Sequence, residues 1–264
     1  MILDKIAAAT RHRIERKKAE VPLEKVKHMA LSMGSGTGFP FSAALNKPEI
    51  SFICEVKKAS PSKGELVADF PYLQIAGEYE QAGADAISVL TEPEYFQGSD
   101  DYLVQIKEAV ALPVLRKDFV VDAYQLYEAK TLGASAVLLI CALLDTRIIC
   151  DYLAICAELG LSALVEAHDE REVDAALTAG AGIIGVNNRN LKDFTVDISN
   201  SIRLRQLVPE NILFVAESGI QTASDIAMLR RAKVNGVLIG ETLMRCHNKR
   251  AKLAELRGGA NDQD

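Results

Sequence analysis

The chain contains no tryptophan, no C-x-x-C pair and no histidines at ligand spacing. Its five cysteines (Cys54, Cys141, Cys150, Cys156 and Cys246) are odd in number, and its four histidines (His12, His28, His168 and His247) are scattered. Neither a disulfide framework nor a structural zinc site fits that inventory. The cysteines read as small core residues instead. Long apolar runs are also missing: none approaches the roughly 20 residues that span a bilayer. The N-terminus, MILDKIAAATRHRIERKKAE, has a short apolar part followed by charges, unlike a secretory signal. A cytoplasmic protein with no membrane partner is expected. Positive charge is in deficit. The net charge is −6 at pH 7 with no dominant basic block, which argues against general nucleic-acid binding. A few cations could still gather in a cleft to hold an anion.

With 264 residues, 49% of them hydrophobic, the chain can bury one large core, and a single domain is expected over residues 1–264. The opening segment reads as one amphipathic helix, with Ile2, Ile6, Ile14 and Val21 on its apolar face and RHRIERKK supplying charge. That face is thin, which favours packing on the main domain over lying on a membrane. LSMGSGTGFPFS follows. It has neither a strand before it nor a G-K-S/T after it, so it reads as a flexible connection and not a phosphate loop. Residues 1–45 thus form an expected helical extension, and residues 48–248 carry a different pattern.

In that second region short apolar, β-branched runs alternate with helical segments. The runs are SFICEVKK, ADAISVLTE, LPVLRKDF, ASAVLLICA, LSALVEAHD, AGIIGVNNRN, NILFVAESG and VNGVLIGE. Several are apolar nearly throughout, as strands covered on both faces are. Gly83, Gly133, Gly180 and Gly182 follow helical segments and suit C-terminal caps. Strand–helix alternation implies a parallel sheet. Eight such units predict an α/β fold, a (β/α)8 TIM barrel with an N-terminal helical extension. An open doubly wound sheet would more often carry a Gly-rich fingerprint after its first strand, and SPSKG is not one.

Active sites of such barrels form at the C-terminal strand ends, and polar residues collect there. The first run ends in Glu55 and Lys57, the third in Lys117 and Asp118, and the fifth in Glu166. The sixth ends in Asn187 and Arg189, the seventh in Glu217 and Ser218, and the eighth in Gly240 and Glu241. Glu55 and Lys57, two apart, share a strand face. Ser218, Gly219, Ile239 and Gly240 lie in the last two loops, where barrels hold phosphate on backbone N–H groups. Phe96, Phe119, Leu138 and Leu191 are apolar candidates for the same mouth, suited to a flat ring bearing a carboxylate beside Lys57 and Arg189.

The segments EVKKASPS, LTEPEYFQGS, LRKDF, LVEAH, GVNNRNL and VAESGI occur in this order and at barrel spacing. Together they resemble the indole-3-glycerol-phosphate synthase family over nearly the whole chain. That resemblance implies a lyase of tryptophan biosynthesis. It would close the pyrrole ring of 1-(2-carboxyphenylamino)-1-deoxyribulose 5-phosphate, releasing carbon dioxide and water, with no cofactor and no metal. It implies Lys117 as the acid for the carbonyl oxygen, Glu166 and Lys57 as partners in later proton transfers, and Glu55 as the group that keeps Lys57 charged. Asn187 and Glu217 match positions that contact the substrate's polar groups, Arg189 the position facing the anthranilate carboxylate, and Ser60 a position that sets the loop. Ser218 joins the catalytic set, and Glu241 stands where some relatives carry Ser, so its contact to phosphate is through the backbone. The expected partner is this sugar phosphate, and a monomer or weak homodimer is expected. The stretch SMGSGTGFPFSAAL is longer and more glycine-rich than the family pattern.

Three other readings compete. A phosphoribosylanthranilate isomerase-like enzyme would want a cysteine base, but Cys54 alternates to the face opposite Glu55 and Lys57. A Schiff-base aldolase rests on lysine count alone. A non-catalytic phosphate-binding barrel would not need Lys57, Lys117 and Glu166 together.

Overall fold

The computed structural model of the chain describes residues 2–67, 69–190 and 194–258. The chain opens with three helices, α1 (Ile2–Glu20), α2 (Leu23–Ser32) and α3 (Pro40–Leu45). The single opening helix expected from periodicity is therefore two. Pro22 separates them: it lacks an N–H and disfavours the helical conformation of the residue before it. Next come β1 (Ser51–Val56), a small antiparallel hairpin of β2 (Ala59–Ser60) and β3 (Gly64–Glu65), α4 (Tyr72–Gln81), β4 (Ala86–Leu90), α5 (Asp100–Ala109) and β5 (Val114–Lys117). Then follow α6 (Tyr124–Thr131), β6 (Ala136–Ile140), α7 (Thr146–Leu159), β7 (Ser162–Ala167), α8 (Glu170–Ala179) and β8 (Ile183–Asn187). The chain continues through α9 (Ser199–Arg205), β9 (Leu213–Glu217), α10 (Ala223–Arg231), β10 (Gly236–Ile239), α11 (Glu241–Met244) and α12 (Lys249–Arg257).

Eight strands close into a parallel barrel in the order β1-β10-β9-β8-β7-β6-β5-β4, with β4 pairing back onto β1. Each apolar run read from the sequence supplies one of them, because both strand faces are buried. The outward faces pack under the helices in one large cluster that includes Phe52, Cys54, Ile87, Val137, Val165 and Phe214. The inward faces form a second cluster, with Ile53, Leu115, Leu164, Ile183, Val215 and Leu238 meeting inside the barrel. Phe41 and Leu45 of α3 belong to this inner cluster and are fully buried. Each contributes about 1.5–3 kcal/mol by leaving water. They close the N-terminal end of the barrel, where the Ser51 hydroxyl donates to the Ala44 carbonyl at 2.9 Å.

The glycine-rich connection between α2 and α3 is anchored by the Thr37 hydroxyl, which donates to the Gly160 carbonyl at 2.7 Å. Gly83, Gly133 and Gly180 follow their helices with φ of 82°, 84° and 88°, as caps require. Gly182 has no positive φ and leads into β8, so its expected cap role is corrected. No helix among the described residues is long and apolar enough to cross a membrane.

Candidate active site

All eight strands point their C-terminal ends at one mouth, so alternation decides what faces it. Ile53, Leu115, Leu164 and Val215 point inward as part of the inner core. Two residues further on come Glu55, Lys117, Glu166 and Glu217, on the same face and one layer nearer the mouth. The inner face thus changes from aliphatic to ionic in a single step along four strands. The ionic residues line one cavity of about 1140 Å³, open at the mouth.

Lys117 Nζ lies 3.6 Å from Glu166 Oε2 and 3.6 Å from Glu217 Oε2. Lys57 Nζ donates to Glu55 Oε2 at 2.5 Å. Glu55, Glu166 and Glu217 are 3%, 3% and 2% exposed, so their charges interact with little screening. Burial opposes the Lys117 ammonium, yet Glu217, Glu166 and Glu55 outweigh it and hold Lys117 above its ordinary value. Burial likewise opposes the Glu55 carboxylate, and Lys57 and Lys117 bring it below its usual range. Glu217 goes the other way. Burial pushes its carboxyl up to about 8, with Lys117 pulling against that and Glu166 adding repulsion. Glu217 Oε1 is buried with no hydrogen-bond partner.

Two glycines give these groups their space. A Cβ on Gly240 would run into Glu55 Oε2 and come within 2.8 Å of Lys57 Nζ. A Cβ on Gly185 would collide with Glu217 Oε1.

The loops complete the mouth. Ser60 lies in the β2–β3 hairpin immediately after Lys57, and both line the cavity. The buried Glu92 carboxylate accepts N–H bonds from Glu94, Tyr95 and Phe96 at 3.0, 2.7 and 3.0 Å. That fixes Phe96 against Phe119, ring centroids 5.8 Å apart, as an apolar wall of the cavity. Asn187 Oδ1 accepts the Arg189 N–H at 3.0 Å. The Arg189 guanidinium reaches to 3.8 Å from Glu241 Oε2. Lys63 Nζ lies 3.5 Å from Glu241 Oε1 and Arg245 Nε 3.3 Å from the same oxygen, so three cations face that carboxylate. Ser218 and Gly219 form a turn with φ of 68° and 82°. Asn188 Nδ2 donates to the Ser218 carbonyl at 3.1 Å, while Asn188 Oδ1 accepts from the Ser201 hydroxyl at 2.7 Å.

The structure brings nearly every residue singled out from the sequence to this cavity, including Leu138, Ile239, Gly240 and Glu241. Leu191 lies outside the described residues. Asp118 borders the cavity, but its carboxylate does not join the ionic ring. Arg13 holds it through Nη2 at 2.7 and 2.8 Å, and the Thr91 hydroxyl donates to it at 2.7 Å. Adjacent residues on a strand face opposite ways, so Lys117 and Asp118 could not both point inward.

Several residues at or behind the cavity were not assigned to it from the sequence. Ile2, Leu3 and Ile6 of α1 wall the mouth, so the opening helix borders the site as well as packing on the barrel. Lys63 could have been noticed as the one cation of the SPSKG loop. Glu92 and Asn188 lie behind the cavity wall and shape its loops, Glu92 through backbone N–H groups and Asn188 through the Ser218 carbonyl and Ser201, and no residue pattern announces that.

A family model described as indole-3-glycerol phosphate synthase matches residues 3–256. An indole-3-glycerol phosphate synthase of Ruminiclostridium cellulolyticum is 60% identical over 98% of this chain and 100% of its own length. Those of Endomicrobium trichonymphae and Lachnoclostridium phytofermentans are 54% and 51% identical, each over 97% of this chain and over 100% and 99% of their own lengths. Among solved structures, a thiamine phosphate pyrophosphorylase from Pyrococcus furiosus superposes with a TM-score of 0.60 at 16% identity, covering 80% of this chain and 95% of that one. That likeness is one of fold alone.

Proposed function

The chain belongs to the indole-3-glycerol phosphate synthase family, and on that premise we propose how the ionic ring at its barrel mouth carries the reaction. The enzyme is a decarboxylating lyase of tryptophan biosynthesis acting on a sugar phosphate. The substrate is 1-(2-carboxyphenylamino)-1-deoxyribulose 5-phosphate. Its ring carbon bearing the carboxylate attacks the C2 carbonyl, whose oxygen takes a proton. Carbon dioxide then leaves with its bonding electrons returning to the ring. Finally the new hydroxyl departs as water on accepting a second proton, and a proton is lost from the former C1 to form the pyrrole double bond.

Lys117 supplies the first proton. The observation that carries this role is its ammonium at 3.6 Å from both Glu166 and Glu217. Those carboxylates keep it protonated and aimed where an oxyanion would develop. Glu166 and Lys57 serve as partners in the dehydration. Glu55 holds Lys57 in place, and the pair lies beside the position of the departing carboxylate. Phe96 and Phe119 flank the anthranilate ring, with Arg189 on its carboxylate side. Asn187 and Glu217 meet the sugar's polar groups. The phosphate rests on the Ser218–Gly219 turn and the Gly240–Glu241 backbone, near Lys63. These steps are proton transfers and need no redox or carbanion-stabilising cofactor.

A thiol base does not suit this site. Cys54 is buried in the outer cluster, and burial pushes its thiol far above the ordinary range. A Schiff base would need a neutral lysine, whereas Lys117 is held above its ordinary value. The test is indole emission after addition of the substrate, with EDTA present. The chain has no tryptophan to mask the signal. A rise in the wild type that Lys117→Ala abolishes, with substrate still bound, supports the assignment. Near-normal turnover by Lys117→Ala overturns it.

A further inference from the structure

The proposed chemistry has a proton balance that the ring alone does not meet. The carbonyl oxygen takes one proton, the departing hydroxyl takes another, and only one returns from C1. The substrate carboxylate enters as an anion and leaves as neutral carbon dioxide, so each turnover draws one proton from solvent. Glu166 is 3% exposed and faces the cavity, so a bound substrate cuts it off from water.

His168 stands next to it, two residues beyond Glu166 at the end of β7. Its backbone N–H and its ring Nδ1 both meet Glu172 Oε2, at 2.8 and 3.0 Å. From α9, Asn200 donates to the His168 carbonyl at 3.0 Å. Ring and backbone are therefore clamped from two helices. The other ring nitrogen, Nε2, is buried without a hydrogen-bond partner and lies 3.4 Å from Glu166 Oε1. A carboxylate on Nδ1 keeps that nitrogen protonated. Nε2 then faces Glu166 in one of two states. It donates if the ring is an imidazolium, and it accepts a proton from Glu166 if the ring is neutral.

We propose that His168 is a positioning residue that stores the proton each turnover consumes and hands it to Glu166. The imidazolium gives its Nε2 proton to the Glu166 carboxylate, which becomes the acid for the departing hydroxyl. The ring is left neutral with Nδ1–H on Glu172, and Nε2 recovers a proton through Glu166 from water in the emptied cavity after product leaves. This rests on the ring-closure reading given above. The charged and titratable groups around the ring fit a stored positive charge. Glu166 is on its own strand, Glu172 on α8 and Glu217 on β9. Cys141, past β6, sits with Sγ 3.5 Å from the Glu172 carbonyl. Burial works against the imidazolium, but the hydrogen bond to Glu172 and the charges of Glu166, Glu172 and Glu217 raise His168 above its ordinary value.

The experiment pairs pH profiles of kcat for wild type, His168→Asn and Glu172→Gln with an NMR titration of the imidazoles, His168 being assigned by its loss in His168→Asn. The active form is protonated, so kcat falls as pH rises through the histidine's titration. Glu217 titrates in a neighbouring range, and Glu172→Gln separates the two. It moves the His168 limb and ring titration to lower pH by about one unit and leaves the Glu217 limb in place. His168→Asn removes that limb and lowers kcat about 10- to 100-fold, with KM within about twofold. A Glu172→Gln profile superimposable on wild type overturns the proposal, as does a wild-type ring titrating at or below the ordinary histidine range. These two readings stand even if His168→Asn fails to fold. A wild type that forms no indole product overturns the ring-closure reading instead, and the NMR titration still reports on the clamp.

Discussion

The two faces of β5 hold the same kinds of residue to opposite ends. Arg116 points outward and Lys117 inward, and each is surrounded by carboxylates. Around Arg116 the groups saturate one another. Its Nη2 donates to Asp100 at 2.8 Å and Glu128 at 2.7 Å, its Nη1 to the Gln125 carbonyl at 3.1 Å and its Nε to the Thr91 hydroxyl at 3.3 Å. Lys17 of α1 closes the cluster on Asp100 and Glu128 at 2.5 and 2.6 Å. Around Lys117 the nearest carboxylate oxygens stand at 3.6 Å, and Glu217 Oε1 has no partner. A buried polar cluster that exists to hold helices in place satisfies its donors. One that exists for chemistry keeps lone pairs and protons available to a substrate. The opening helix takes part in both. Ile2, Leu3 and Ile6 wall the mouth, while Arg13 and Lys17 enter the outer cluster.

Exchanging the two lysine-and-arginine neighbours for methionine breaks this comparison most directly. Lys117→Met should lower kcat about 10⁴-fold, about 5.5 kcal/mol of barrier, because it removes the acid and the stabilising charge together. Its thermal midpoint should fall less than that of Arg116→Met, since Glu217, already pushed up to about 8, can take a proton and relieve the stranded charge. Arg116→Met should do the reverse. It strands Asp100 and Glu128 without their shared cation and should cost about 3–5 kcal/mol of stability by denaturant unfolding. The folded fraction should keep kcat within a few-fold. A Lys117→Met variant that unfolds like Arg116→Met would show that the inner ring is structural as well.

The sequence disclosed most of this architecture because burial on both strand faces writes continuous apolar runs. All eight barrel strands were legible for that reason. Alternation also made Glu55 with Lys57 legible, and it should have sent Asp118 outward. What stayed hidden depends on distant partners. Nothing in LRKDF says that Asp118 will meet Arg13, 105 positions away. Nothing in LVEAH says that His168 will be clamped by Asn200. The β2–β3 hairpin, two residues per strand, is too short to leave a periodic trace. Pro22 did mark the split between α1 and α2, but the apolar spacing runs straight across it.

A smaller change sharpens the inner side of the comparison without touching a charge. Gly240 has φ of −108°, a conformation open to alanine, so Gly240→Ala tests space and not backbone strain. The new methyl must displace the Glu55–Lys57 pair, whose contact is 2.5 Å. The expected result is a loss of about 10- to 100-fold in kcat, since a misplacement near 1 Å is enough for that. The stability cost should stay within about 2 kcal/mol, because Lys57 can swing toward the open mouth. An alanine variant with full activity would mean that the pair need not sit where it does.

The smallest effect separates strain from contact at the phosphate turn. Ser218 holds φ at 68°, a left-handed conformation that costs a residue with a side chain about 1–2 kcal/mol. Asn188 maintains it by binding the Ser218 carbonyl at 3.1 Å. Ser218→Gly removes that strain but also frees the unfolded chain, which offsets part of the gain. The net should be a stabilisation of up to about 1 kcal/mol, read as a rise of about 2–4 °C in Tm for a chain of this size. KM for the sugar phosphate should rise a few-fold from loss of the hydroxyl, with kcat nearly unchanged, because the turn binds the far end of the substrate from the reacting carbons. A more stable enzyme that binds less well would place Ser218 with Lys117 and not with Arg116: a residue held against its preference because the ligand needs it there.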